Sequence, residues 1–177
     1  MLIEWKLDGL PKLSFPKGES MSLLKIIEKD ILTVEHGVLV HSVNCQGVMG
    51  AGLAKKIAEK WPAVKEDYQE DRVWADDGPT LGNWLCTEVT NELFIASIFG
   101  QRYYGRAAGR CYTSYLALAL GFSAIQHANK YYEFHPVPLP IYIPHGIGCG
   151  LAGGDWHVVS ALIEQELPNA TICKLPT

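Results

Sequence analysis

Apolar residues recur along this chain with two alternating periods, and the changes of period mark its elements. Residues 37–43 (Gly-Val-Leu-Val-His-Ser-Val) form a β-branched, largely apolar run that ends at Asn44. Glycines at 47, 50 and 52 follow, and then Leu-Ala-Lys-Lys-Ile-Ala-Glu-Lys over 53–60, so strand, loop and helix are expected in that order. The same succession returns much further on, where the apolar Ile-Tyr-Ile of 141–143 precedes a glycine cluster over 144–155 and an amphipathic helix over about 156–166.

Between these two units the pattern predicts further elements. Residues 23–27 fit either a short helix or a strand; the β-rich composition of 30–34 and 37–43 favours a strand entering a sheet. Trp61-Pro62 stops the first helix, and a second short helix over 63–71 starts with Pro62 suited to N1. Residues 75–79 (Ala-Asp-Asp-Gly-Pro) read as an exposed connection. Strands over 84–89 and 93–99 form a hairpin through Thr90-Asn91. Tyr115, Leu118, Ala119 and Phe122 lie at helical spacing within 112–127, so that helix packs one face on the sheet. The prolines of 136–140 impose an extended lead into 141–143, and 170–174 supplies the last strand. Residues 1–21 show no clear period and form an arm or extra hairpin ahead of one domain over 22–177.

Composition narrows the class. A chain of 177 residues, 48% hydrophobic and 19% charged, covers one α/β core. Its net charge of −4 disfavours a non-specific nucleic-acid binder, which needs a basic surface to displace counterions. The longest apolar run, near 117–125, is short for a bilayer span, and Lys6, Asp8 and Lys12 interrupt any signal-like segment; a cytoplasmic protein without membrane contact is expected. Five scattered cysteines without a C-x-x-C pair indicate neither a disulfide framework nor a zinc site, and no metal or cofactor is expected.

The glycine loops carry the candidate chemistry. Bare backbone N–H groups in such loops, each opening onto a helix N-terminus, suit phosphate, and two loops together can cradle a diphosphate. With the residues in this order, Asp30-Ile31, then Val43-Asn44-Cys45-Gln46-Gly47-Val48-Met49-Gly50-Ala51-Gly52-Leu53-Ala54, then Ile147-Gly148-Cys149-Gly150-Leu151-Ala152-Gly153-Gly154-Asp155-Trp156, residues 22–175 resemble the macrodomain family. More narrowly they resemble its branch of ADP-ribose-1″-phosphate phosphatases and terminal ADP-ribose glycohydrolases. The resemblance implies a three-layer α/β/α fold with a mixed central β-sheet and a cleft for ADP-ribose.

It also implies roles for particular residues. Asp30, otherwise a turn aspartate, would accept from the adenine 6-amino group beside the Ile31 amide. Asn44, otherwise a strand-terminating Asn with a local backbone bond, would contact the distal ribose. Gly47, Gly50 and Gly52 would allow close backbone approach while Val48 and Met49 form an apolar wall. Gly146, Ile147, Gly148, Cys149 and Gly150 would donate amides to the diphosphate. Apart from the resemblance, the polar and aromatic segment over 99–106 reads either as a solvated loop or as a further rim of the cleft, on which Gln101 reaches a phosphate or sugar hydroxyl and Tyr104 stacks. Asp155 fits an N-cap of the last helix, worth about 1 kcal/mol; with Asn44 and His145 it is also a candidate for catalysis. His41 reads as a core or supporting residue.

The glycohydrolases of this branch use a nucleophilic lysine in the middle of the chain, whereas this sequence holds none between Lys65 and Lys130. The expected activity is therefore hydrolysis of ADP-ribose 1″-phosphate by a monomer. The alternatives are a non-catalytic reader of ADP-ribose-type nucleotides and a lysine-independent ADP-ribosyl hydrolase, for which nucleic acid enters only as an ADP-ribosylated substrate.

Overall fold

The computed structural model describes residues 24–70, 78–105, 107, 109–131 and 135–176. The elements within them are β1 (Lys25–Glu28), a short 3-10 helix (Ile31–Thr33), β2 (Gly37–Asn44), α1 (Gly52–Lys60), α2 (Pro62–Gln69), β3 (Trp84–Thr90), β4 (Leu93–Gln101), α3 (Tyr115–Lys130), β5 (Ile141–Pro144), α4 (Trp156–Glu166) and β6 (Thr171–Lys174). The six strands form one mixed sheet in the order β1-β6-β5-β2-β4-β3, parallel except for the antiparallel edge strand β3. Among the described residues no helix is long and apolar enough to cross a membrane.

Strand alternation builds the layers. Val38 and Val40 of β2, with Phe94, Ala96 and Ile98 of β4, pack with Leu118, Phe122 and Ile125 of α3 and Val159 and Ile163 of α4. Leu39 and Val43, with Ile95 and Phe99, join Ile57 of α1 and Val64 and Tyr68 of α2 on the opposite face. The result is the three-layer α/β/α arrangement with a mixed sheet. α3 approaches β4 closely because Gly121 lies at the crossing: a Cβ there would clash with Ile98 Cγ2. Gly121→Ala is expected to lower unfolding stability by about 1–3 kcal/mol through this overpacking. A urea melt checks it; an unchanged midpoint would show that Ile98 can yield.

Several boundaries differ from the sequence reading for identifiable reasons. The β-rich stretch 30–34 is a 3-10 turn, because the Asp30 carboxylate accepts from the Leu32 amide at 3.0 Å and the Thr33 hydroxyl donates to the Asp30 carbonyl. A local side-chain bond outweighs the β propensity of Ile, Leu, Thr and Val. α3 starts at Tyr115 rather than 112, since Ser114 caps it by accepting from Ala117 N while the Tyr112 and Thr113 amides bond the Ala152 carbonyl. α2 starts at Pro62 and its last residue is Gln69. The proposed arm over 1–21 and residues 75–77 of the acidic connection lie outside the described residues.

Strand order places the site. From β2 the chain proceeds through α1 and α2 towards β3 and β4, whereas from β5 it proceeds through α4 towards β6, on the other side. The two connections diverge beyond the carboxyl ends of neighbouring strands, where open α/β sheets leave a crevice.

Candidate functional site

Both glycine loops leave the sheet at this divergence and line one cleft of about 620 Å³, within the size range of small-molecule sites. The first loop is shaped by the side chain where β2 ends. Asn44 Nδ2 donates to the Val48 carbonyl at 2.6 Å, and Oδ1 accepts from the amides of Gln46 at 2.9 Å and Val48 at 3.4 Å. The β2 register shifts at Val43/Asn44 against β4. The Gln69 amide donates to the Gly47 carbonyl, and Gln46 accepts from the Tyr104 backbone, tying the loop to the segment after β4.

The loop then enters α1 without a side-chain cap: Ala51 occupies the N-cap position, and Gly52, Leu53 and Ala54 of the first turn line the cleft. These amides lack intrahelical acceptors, and the helix dipole places partial positive charge beside them.

The second loop turns back on itself. Ile147 N bonds the Pro144 carbonyl, Cys149 N bonds Gly146 O, and Gly154 N bonds Gly148 O at 2.9 Å. Gly146 and Gly148 adopt left-handed φ of 75° and 72°, which glycine takes at little cost and which suits an anion-binding turn of successive amides. Among the described residues the amides of Gly146, Gly148 and Gly150 meet no acceptor, and all three glycines line the cleft. The Thr113 hydroxyl donates to Gly148 O, and the Ala152 carbonyl accepts from Tyr112 and Thr113, which fastens the 110–114 segment to this loop.

The sequence-derived candidates divide accordingly. Asn44, Val48, Gly50, Gly52, Gln101, His145, Gly146, Ile147, Gly148 and Gly150 line the cleft, and Tyr104 stands half-exposed at its rim. Ile147 lines it with its amide already engaged. The remaining candidates do not line it. Met49 turns into the α1/α2 core rather than forming a cleft wall, and the Gly47 carbonyl accepts from Gln69. Cys149 packs against the α3/α4 core, and burial pushes its thiol upward in pKa. Asp30 caps the 3-10 helix, with Ile31 buried behind it. Asp155 caps α4, accepting from the His157 amide at 2.8 Å.

His145 directly follows β5, with its ring 4.5 Å from that of Trp156. Pattern reading missed Ser42, Leu53, Ala54, Pro144, Leu151 and Ala152 as lining residues, since each reads as an ordinary apolar or small residue. His41 lies at the cleft's inner end, its Nε2 2.7 Å from Ser97 Oγ and its Nδ1 without a partner among the described residues. Burial holds it neutral, with a pKa pushed down to about 3. Among the described residues no Lys, Arg, Asp or Glu lines the cleft, so these residues meet an anion with amides and a helix dipole.

The molecule is thus a three-layer α/β/α protein with an amide-lined cleft at its switch point, and its fold is that of the macrodomains. A macrodomain protein from Streptomyces coelicolor matches with a TM-score of 0.66 at 22% identity, over 87% of this chain and 99% of that one. The Thermosipho africanus DarTG, solved in complex with ADP-ribose, matches at 0.66 and 21% identity over 85% of this chain and 41% of that one. A Bacteroides thetaiotaomicron protein of unknown function matches at 0.71 and 26% identity over 86% of this chain and 98% of that one. In sequence, an uncharacterised 17.5 kDa protein of Enterobacteria phage T4 is 23% identical over 152 residues, 80% of this chain and 88% of that protein. No protein-family model matches the chain.

Proposed function

We propose that the cleft holds ADP-ribose, and that the protein is a phosphatase converting ADP-ribose 1″-phosphate to ADP-ribose and phosphate. One observation carries the reading: a single cleft, without a Lys, Arg, Asp or Glu among its described lining residues, is lined both by the uncapped start of α1 and by Gly146, Gly148 and Gly150 with their open amides. A bridging diphosphate satisfies both sets of donors at once. The macrodomain fold and the ADP-ribose bound to a protein of the same fold support the identity of the nucleotide.

In this reading the adenine lies towards the 3-10 helix that packs on β5, where the second carboxylate oxygen of Asp30 accepts from the 6-amino group. Asn44 contributes one remaining N–H to the distal ribose, since its oxygen is already engaged by the loop. At the distal phosphate, water attacks phosphorus and the bond from phosphorus to the ribosyl oxygen breaks. His145 gives its proton to the departing oxygen and recovers one from the attacking water. Loop amides stabilise the charge on the phosphoryl group in flight. Asp155 acts as a cap alone.

A reader that binds without turnover is the second reading, favoured by the engagement of Asn44 and Asp155 in backbone bonds. The deciding assay incubates the protein with ADP-ribose 1″-phosphate and with ADP-ribosylated protein and DNA. Phosphate release from the first alone is expected; calorimetric binding of ADP-ribose without turnover supports the reader, and ADP-ribose released from a macromolecule supports a hydrolase. In the same assay Asp155→Ala is expected to cost about 1 kcal/mol of stability with the rate unchanged. A fallen rate at unchanged melting would place Asp155 in the chemistry.

A further inference from the structure

We infer that the last turn of α2, through the Tyr68 hydroxyl and the Gln69 amide, is the brace that sets the first amide row at its ligand-binding geometry. This rests on the cleft reading above. Tyr68 is fully buried, with its ring stacked on Phe99 at 5.7 Å. Its hydroxyl lies 2.7 Å from the Asn44 carbonyl and 3.1 Å from Asn44 Oδ1, donating to the strand end from which the loop springs. Asn44 Oδ1 in turn accepts from the Gln46 and Val48 amides, and the backbone of Gly47 and Val48 offsets part of the rise that burial gives the phenol's pKa. One phenol therefore joins the last residue of β2 to the next turn of the loop, and burial keeps it protonated as a donor.

The neighbouring residues complete the brace. Gln69 Nε2 donates to the Gly47 carbonyl at 2.9 Å, and neither residue lines the cleft. Asp67 accepts from the Thr87 hydroxyl at 2.6 Å, which fixes α2 to β3. Three successive residues of one helix thus face the sheet edge, the strand end and the loop. None of the three lines the cleft. They are positioning residues: they orient Asn44 and the peptides up to Val48, from which the Gly50–Ala54 amides follow, and they touch no substrate.

Tyr68→Phe keeps the ring on Phe99 and removes only the hydroxyl. Gln69→Ala removes an exposed contact with no core volume at stake. In each variant, hydrogen exchange at Gly47 and Val48 is expected to speed at least tenfold, while Ile95 and Leu118 exchange as in the wild type. ADP-ribose affinity by calorimetry is expected to fall about tenfold in Tyr68→Phe, with dissociation faster and the melting temperature little changed.

Unchanged exchange at Gly47 and Val48 overturns the brace whether or not ADP-ribose binds. Faster exchange with unchanged affinity overturns its link to the ligand. A wild-type protein that gives no heat with ADP-ribose overturns the cleft reading and this link together, while the exchange data still report on the hydrogen bonds themselves.

Discussion

Gly50→Glu is expected to abolish ADP-ribose binding while leaving the fold intact. Gly50 lines the cleft, yet it does not need a left-handed backbone, and an added Cβ would meet only Val48 Cγ1 at an ordinary 3.6 Å. The substitution therefore adds a carboxylate beside the open amides without straining the loop. Placed about 4 Å from a phosphate at an effective dielectric near 20, the new charge costs about 4 kcal/mol, on the order of a thousandfold in affinity. The carboxylate also occupies the donors that the phosphate would use. Calorimetry on a variant with wild-type melting temperature checks this. Affinity within threefold of wild type would place the diphosphate elsewhere. Gly148→Ala is a poorer test of the same idea, because φ of 72° and Thr113 Oγ1 at 3.1 Å from the new Cβ would distort the second loop itself.

The readable part of this molecule is the part encoded by residue type at fixed spacing. β2, the β3/β4 hairpin, α1 and α4 announce themselves by period, and α4 begins at Trp156 with Asp155 as its cap. Glycine is the one residue that takes a left-handed φ at little cost, so Gly47, Gly52, Gly146 and Gly148 mark the loop bends directly. Their convergence on one cleft follows from strand order, which the linear pattern leaves open.

What escaped pattern reading depends on contacts distant in sequence or on competition at a single residue. Tyr68 meets Asn44 across 24 positions, and in the chain it shows only as an aromatic at helical spacing. The turn at Asp30 turns on whether one carboxylate caps a short helix, which the β-branched composition of its neighbours obscures. Met49 sits among loop residues but faces the core, because the loop folds over Ile57 and Tyr68. Asn44 reads in the chain as a strand end with a local backbone bond, and that bond is present: its side chain organises the loop, and the residue also lines the cleft.

Stability is expected to fall steeply as pH drops from 6.5 towards 3, with His41 as a principal cause. In the unfolded chain this imidazole titrates near 6.5, whereas burial in the fold pushes its pKa down to about 3. Between those values the unfolded state carries the proton and the folded state does not, so stability rises with pH across the window and is lost on acidification. A displacement of that size corresponds to roughly 5 kcal/mol at the acid end, comparable to the whole stability of a modest domain. The geometry explains the penalty. Nε2 has Ser97 as its partner, and among the described residues Nδ1 has none and no Lys, Arg, Asp or Glu lines the cleft at whose inner end the ring sits. Urea melts at pH 7, 5.5 and 4.5 measure it, in the wild type and in His41→Gln, which is neutral at every pH. The variant is expected to start lower at pH 7, through imperfect packing, and then to lose much less on acidification. Parallel losses in the two proteins would assign the acid sensitivity to other groups.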